Sequence, residues 1–452
     1  MSSPLRAKQA DELVRRFAAA LRGVQLYAPT HPLVARSVTA LAEALAPVLA
    51  TTPSIAIGII GEDLVVGDIP VPRAAESMGK LTQQLQQVKI ERIVIEQGVQ
   101  LDELTELIQT LGASDATPES TAVLAQLTHV RVGRIEVDDA ANIATADMAT
   151  CRRLYEEAVI AAETLWESAR TEGMPDANTG REAVDSLAHE VSQNRTALLA
   201  LTALKEYDSY TFTHMVNVSI LTMGQARGLG IDGTLLREFG LSALLHDIGK
   251  VRTPTDILNN PGQLTETEIE IMRRHPVDGA AILRRTPEIP TLAPVVAFEH
   301  HLRLDGSGYP FGTSPPTLNL GTMLCGIADV YDAMRSQRVY QPAFPTDRIL
   351  AVLEQNDGTR FDQHLVRRFV QLVGIYPVGN LVRLESGEIA VVLQTHAPSP
   401  YRPRVRVVRD ASGKEVHRGR EINLWDESEG PRPAIQAPVD PADYGIDPLT
   451  YL

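Results

Sequence analysis

His246 and Asp247 stand side by side at the end of an apolar run, with Gly249 and Lys250 just behind them. A neutral imidazole and a carboxylate delivered by one helix end are metal-ligating chemistry. On a surface the same dipeptide is an ordinary polar pair, so its surroundings decide. Upstream stands His214, six residues after Asp208. Downstream come His275 between Arg274 and Pro276, then the pair His300 and His301 after Glu299, then Asp329 with Asp332 one helical turn later. Of the eleven histidines, five fall in this window, beside carboxylates or glycines. The others, His31, His129, His189, His364, His396 and His417, lack that company and read as structural or surface residues. The five read as a ligand set with Asp247 and Asp329. Imidazole-rich sets with one or two carboxylates suit iron or manganese better than zinc. Two such ions close together would activate a water and clamp an anion, which is what cleaving a phosphodiester requires.

Several longer fragments occur in order around these residues. They are His246-Asp247-Ile248-Gly249-Lys250, His300-His301 followed by Asp305-Gly306-Ser307-Gly308-Tyr309-Pro310, Ile327-Ala328-Asp329-Val330-Tyr331-Asp332-Ala333-Met334, and Phe361-Asp362. The window 208–361 that they mark resembles the HD-GYP family of the HD phosphohydrolase superfamily. That resemblance implies a mainly helical bundle that hydrolyses cyclic dinucleotides, cyclic di-GMP first, to the linear dinucleotide pGpG and on to GMP. It implies two divalent metal ions, iron or manganese. Carried over by position, Asp247 would bridge the two. His214, His246 and Asp329 would serve one ion, and His275, His300 and His301 the other. Asp247, Lys250 and Asp332 would take part in catalysis: Lys250 by holding a phosphate or protonating the leaving oxygen, Asp332 by orienting a ligand or a water. Asp208, Lys250, Arg303, Asp305, Gly308, Tyr309 and Arg338 would contact the nucleotide. Glu299 and Arg303 would support the paired histidines.

Three positions depart from the family pattern. Tyr210 stands where some members carry a third-metal glutamate, Gln341 where members often carry lysine, and Leu302 where an acidic residue is common. These departures keep rival readings open: a cyclic-dinucleotide-binding signalling module that turns over slowly, or another nucleotide hydrolase of the superfamily. A scaffold in which the Gly308-Tyr309-Pro310 loop and the β module bind proteins is a third rival; protein partners through that loop and the N-terminal domain, and a homodimer, are further expectations.

The elements around this window are read from periodicity. At 452 residues the chain exceeds one ordinary core. The expected architecture is multidomain. A small α/β domain spans 1–137, a linker and lead-in helices 138–204, an α-helical HD-type bundle 205–375, a small β module 376–426 and a proline-rich tail 427–452. Leu13, Phe17 and Leu21, then Val34, Val38, Leu41 and Leu45, recur at helical spacing. Ile55, Ile57 and Ile59 alternate as a strand, with a turn at 61–63 and a returning strand. A helix over 76–87, a strand over 90–95, a helix over 101–111 and a strand over 130–137 complete the domain. Residues 150–172 and 181–204 read as lead-in helices separated by a break at 174–180. Strands are expected at 378–384, 388–394 and 404–409.

Composition limits the alternatives. With 44% hydrophobic and 22% charged residues the chain has a soluble globular make-up. Its net charge of −15 argues against general binding to nucleic acid or an anionic membrane. Two cysteines, Cys151 and Cys325, cannot build a disulfide framework or a cysteine-rich zinc site. No apolar run reaches the roughly 18 residues expected of a membrane span, and a cytoplasmic protein is the expectation.

Overall fold

The computed structural model of the chain describes residues 3–452, apart from 29, 51, 53, 61–62, 67–68, 72–84, 86–87, 89, 114–116, 118–122, 125, 134–147, 203–209, 261, 313–317, 336–345, 356–357, 397–398, 417–418, 427 and 429–431. Most of the expected helix over 76–87 and of the linker over 138–149 lies outside the described residues, as do Asp208, Arg338 and Gln341. The chain divides into two compact units: Met1–Glu136 with Gly228–Leu235, and Val137–Arg227 with Leu236–Leu452.

In the first unit, α1 (Ser3–Leu26) and α2 (Pro32–Leu49) pack on each other and on α3 (Leu101–Gly112). Five strands, β1 (Ser54–Ile60), β2 (Asp63–Val66), β3 (Ile69–Val71), β4 (Arg92–Glu96) and β5 (Val130–Gly133), form one antiparallel sheet in the order β3-β2-β1-β4-β5. The predicted stripes supply its core: Leu13, Phe17 and Leu21 meet Leu41, Leu45, Ile57, Ile93 and Ile108. Fully burying such a side chain contributes about 1.5–3 kcal/mol. His31 is structural, as expected. Its Nδ1 accepts the Leu33 N–H at 3.2 Å and caps α2. One point differs from the hydropathy reading: α2, at 18 residues and mean hydropathy 1.3, is long and apolar enough to cross a membrane. In this fold Val38, Leu41, Leu45 and Leu49 of that helix line the core.

The second unit opens with α4 (Met148–Thr171) and α5 (Ala177–Leu201), which pack along each other. The break between them is shorter than predicted. Asp176 accepts the Asn178 N–H at 3.0 Å, so an N-cap starts α5 four residues before Arg181. Then follow α6 (Tyr210–Gly228), α7 (Gly233–Leu244), a 3-10 turn (Ile248–Arg252), α8 (Thr255–Leu258), α9 (Glu266–Met272), α10 (His275–Leu283), α11 (Leu292–Glu299), α12 (Leu320–Arg335), α13 (Thr346–Gln355) and α14 (Gln363–Val373). The Phe361-Asp362 fragment has a structural task. Phe361 is buried, and the Asp362 carboxylate accepts the His364 and Leu365 N–H groups to cap α14.

The C-terminal module holds β6 (Leu381–Leu384), β7 (Ile389–Gln394), β8 (Arg404–Arg409), β9 (Glu421–Asn423) and β10 (Ile435–Val439) in the order β10-β6-β7-β8-β9. The expected division into a module ending at 426 and a loose tail is therefore corrected. The proline-rich stretch enters the sheet as an edge strand, with Pro438 opposite Val382. An edge strand tolerates proline because one side of its backbone needs no partner. Beyond it, Tyr444, Ile446, Tyr451 and Leu452 pack on Leu381, Ile389 and Val391.

Candidate metal centre

Helix ends bring most of the ligand set together. α7 tightens as it finishes, with the His246 N–H bonding back to the Ala243 carbonyl at 3.3 Å. This places His246 and Asp247 just ahead of the 3-10 turn. His275 opens α10, and His300 and His301 follow α11. His214 comes from the second turn of α6, while Asp329 and Asp332 lie on one face of α12. Gly249 is a packing requirement. A Cβ there would overlap the His275 carbonyl and the Gly279 backbone nitrogen. Its absence lets α10 bring His275 against Asp247.

Asp247 sits at the centre. Its Oδ1 lies 3.3 Å from His275 Nε2 and 3.7 Å from His300 Nε2. Its Oδ2 lies 3.4 Å from His246 Nε2 and 3.8 Å from His214 Nε2. Asp329 Oδ1 is 3.2 Å from His214 Nε2 and 4.0 Å from His246 Nε2. The donor atoms form two groups, Asp247 with His275, His300 and His301, and His214 with His246 and Asp329; within each, the atoms lie within 4.8 Å of one another. All seven residues named from the sequence as ligands thus meet.

The hydrogen bonds fix which ring nitrogen is free. Nδ1 of His246, His275 and His300 lies 2.7, 2.7 and 3.0 Å from the carbonyls of Ala243, Met272 and Ala297. A carbonyl only accepts, so each Nδ1 carries the proton and each Nε2 presents a lone pair. Nε2 of His275 and of His300 face each other at 3.2 Å, two acceptors with no proton between them. Among the described residues, no hydrogen-bond partner reaches the buried His246 Nε2 or Asp247 Oδ1. Buried acceptors left in this way are costly unless a cation lies among them. The donor set fits divalent metal.

Electrostatics keep the donors in ligating form. Burial lowers the pKa of His275 to about 4 and of His301 to about 3, and holds His300 well below the ordinary value. These rings are neutral at pH 7, as ligation requires. Burial pushes Asp247 upward, but Lys250, His246 and His275 together hold it well below the usual carboxylate range. For Asp329 burial again opposes ionisation, and the hydrogen bond and charge of His214 outweigh it. Glu299 accepts the Thr322 hydroxyl at 2.9 Å, and burial raises its pKa.

Other predicted site residues find different places. Half-buried Lys250 pairs directly with Asp247 Oδ2. Asp332 was expected to act in catalysis, but it is 1% exposed and both oxygens are engaged: His214 Nδ1 lies 2.8 Å from Oδ2, and Asn217 Nδ2 donates to Oδ1 at 2.9 Å. It positions His214 rather than touching substrate. Asp305 is exposed, and its carboxylate accepts the Ser307 N–H at 2.9 Å. Gly308, at φ +98°, carries no room for a side chain, since a Cβ would overlap the His301 carbonyl. Both shape the loop. Tyr309 stacks on His301 with ring centroids 4.5 Å apart. Arg303 is exposed beside this loop, and Leu302 is buried. The side chain of Tyr210 lies outside the described residues.

Sequence reasoning missed three rim residues and Asn217. Arg273 lies over both Tyr309 and Phe311, at 5.6 and 5.4 Å from their centroids, and Phe311 is 72% exposed. Arg360 is half-buried; burial and neighbouring Arg303 lower its pKa, while the charges of Asp329 and Tyr309 act oppositely. The bond from Asp305 N–H to the Thr359 carbonyl, 2.9 Å, ties its strand of loop to the Tyr309 loop. Asn217 stands three residues after His214, one turn along the same helix face, a spacing that carried the signal.

Residues 184–365 match the HD domain family, and residues 381–444 match the KOW domain associated with HD domain. That central segment carries all seven candidate ligands and is the part of the chain that resembles the HD domain family. More particularly, the chain is 40% identical over 261 residues to a cyclic di-GMP phosphodiesterase of Pseudomonas aeruginosa, covering 58% of this chain and 63% of that protein. It is 35% identical to a cyclic di-GMP phosphodiesterase of Vibrio cholerae, over 42% of each. It is 34% identical to a 3'3'-cGAMP-specific phosphodiesterase of Vibrio cholerae, over 37% of this chain and 36% of that one. The chain spans less than two thirds of the length of these relatives.

Proposed function

We propose that this chain is a metal-dependent phosphodiesterase that opens cyclic dinucleotides, cyclic di-GMP foremost, to the linear dinucleotide pGpG and further to GMP, at a two-metal site. One observation carries the reading: neutral imidazole Nε2 lone pairs converge on Asp247, whose two oxygens face the two donor groups. The names of the relatives supply the substrate class. His214, His246 and Asp329 would hold one ion, His275, His300 and His301 the other, with Asp247 shared; iron or manganese suits the set. Bound there, the ions supply an activated water and charge relief on the phosphoryl oxygens.

The chain's own groups do the rest. Lys250 holds Asp247 ionised and keeps ammonium protons for a phosphate oxygen or the leaving oxygen. Arg303 and Arg360 give a cationic rim to a chain of net charge −15, which a dianionic ligand needs. Arg360 can add a bidentate grip on a phosphate. Tyr309 closes one wall over His301 and excludes water from it.

Turnover of cyclic di-GMP by metal-depleted protein reloaded with Fe(II) or Mn(II) under reducing conditions tests this. The expected result is linear pGpG, then GMP, dependent on added metal. Binding of cyclic di-GMP without any product would favour the second reading, a binding module, which the departures at Tyr210 and Gln341 support. Faster cleavage of 3'3'-cGAMP than of cyclic di-GMP would reassign the substrate.

A further inference from the structure

Tyr155 lies on α4, ahead of the segment that matches the HD domain family, and is 1% exposed. Its hydroxyl is 2.8 Å from Asn217 Oδ1. An amide oxygen only accepts, so the phenol donates. Asn217 Nδ2 in turn donates to Asp332 Oδ1 at 2.9 Å, and Asp332 Oδ2 accepts from His214 Nδ1 at 2.8 Å. All four residues are buried, none more than 5% exposed. The direction of every bond follows from the Asp332 carboxylate, which only accepts. If the Asn217 amide were turned over, its carbonyl would face the Asp332 carboxylate, acceptor against acceptor. The Asp332 carboxylate forbids that flip, and the Tyr155 hydroxyl, by donating to the Oδ1 on the other side, anchors Asn217 in its place. Asp332 is thereby held where it takes the His214 Nδ1 proton, and Nε2 is left to face Asp247 and Asp329. α4 also packs on the 3-10 turn that carries Lys250.

We infer that Tyr155 is a positioning residue: through Asn217 and Asp332 it holds His214 in the ligating tautomer, so the seating of α4 sets metal affinity in the His214 group. This rests on the two-metal reading above.

Calorimetric titration of the metal-depleted full chain with Mn(II) tests it. The wild type should show two sites. Tyr155→Phe keeps the ring in place and removes only the hydroxyl; one site should weaken about tenfold, the scale of outer hydrogen-bond partners, and the other should stay unchanged. In an Asp332→Asn background the same change should add nothing further, because its route to His214 is already cut. Wild-type affinity at both sites in Tyr155→Phe overturns the inference. So does equal weakening of both sites, or an undiminished effect in the Asp332→Asn background, each of which marks a general packing role. A wild type that takes up no Mn(II) sinks the two-metal reading itself, and this inference with it.

Discussion

The two donor groups are held by different means. In the His275–His300 half, each Nδ1 proton ends on a carbonyl three residues back in the chain, at 2.7 and 3.0 Å. In the His214 half, His246 does the same, but His214 reaches 118 residues along the sequence to Asp332. In the first half the tautomers of His275 and His300 are set by local backbone carbonyls. The second depends on tertiary packing and a buried side-chain chain. A local support is rigid; a distant one can be perturbed or regulated. Rigid chemistry and adjustable affinity are thus divided between the halves, with Asp247 touching both.

Removing the shared carboxylate should erase the difference. Asp247→Ala is expected to lose both ions and all turnover; full metal occupancy in that variant would remove the bridging role. Acid should strike the histidine-rich half of the metal-free protein. Above pH 6.5, folded and unfolded histidines are both neutral. Below it the unfolded chain takes up protons first, because burial holds His275 down to about 4 and His301 to about 3. Stability is therefore lost as the pH falls from 6.5 toward 4, on the order of 2 kcal/mol per such histidine by pH 5. Denaturant titrations of metal-free protein at pH 7 and 5 read this, and bound metal should abolish most of it. Gly249→Ala sharpens the contrast differently. The atoms it would strike are backbone of α10, so the loss should be about 3 kcal/mol, seen as a lower denaturant midpoint. The smallest effect is expected in the adjustable half: Asp332→Asn should weaken one ion by roughly 10–100-fold and spare the other, measured by metal titration.

The ligand set was legible in the sequence because histidines beside carboxylates are conspicuous and occur in a fixed order. The supports were not. Gly249 and Gly308 have no side chain from which a role could be read, and each is defined by a neighbour it must not strike. Asp332 could be read only as orienting a ligand or a water, because spacing shows which face a side chain occupies, not which partners use its oxygens. Tyr155 sits in a mixed-charge helix whose pattern said nothing of a bond to a residue 62 positions on. Edge-strand β10 was hidden by prolines, since composition cannot tell a sheet edge, where proline is tolerated, from a loose tail. Arg360 carried no motif of its own and became visible only when the loop before α14 met the Tyr309 loop.

Elemental analysis of anaerobically purified protein bears most directly on the central claim. The account predicts two ions of iron or manganese per chain, lost together on Asp247→Ala. Fewer than one ion per chain, or a single ion that survives loss of Asp247, would contradict it.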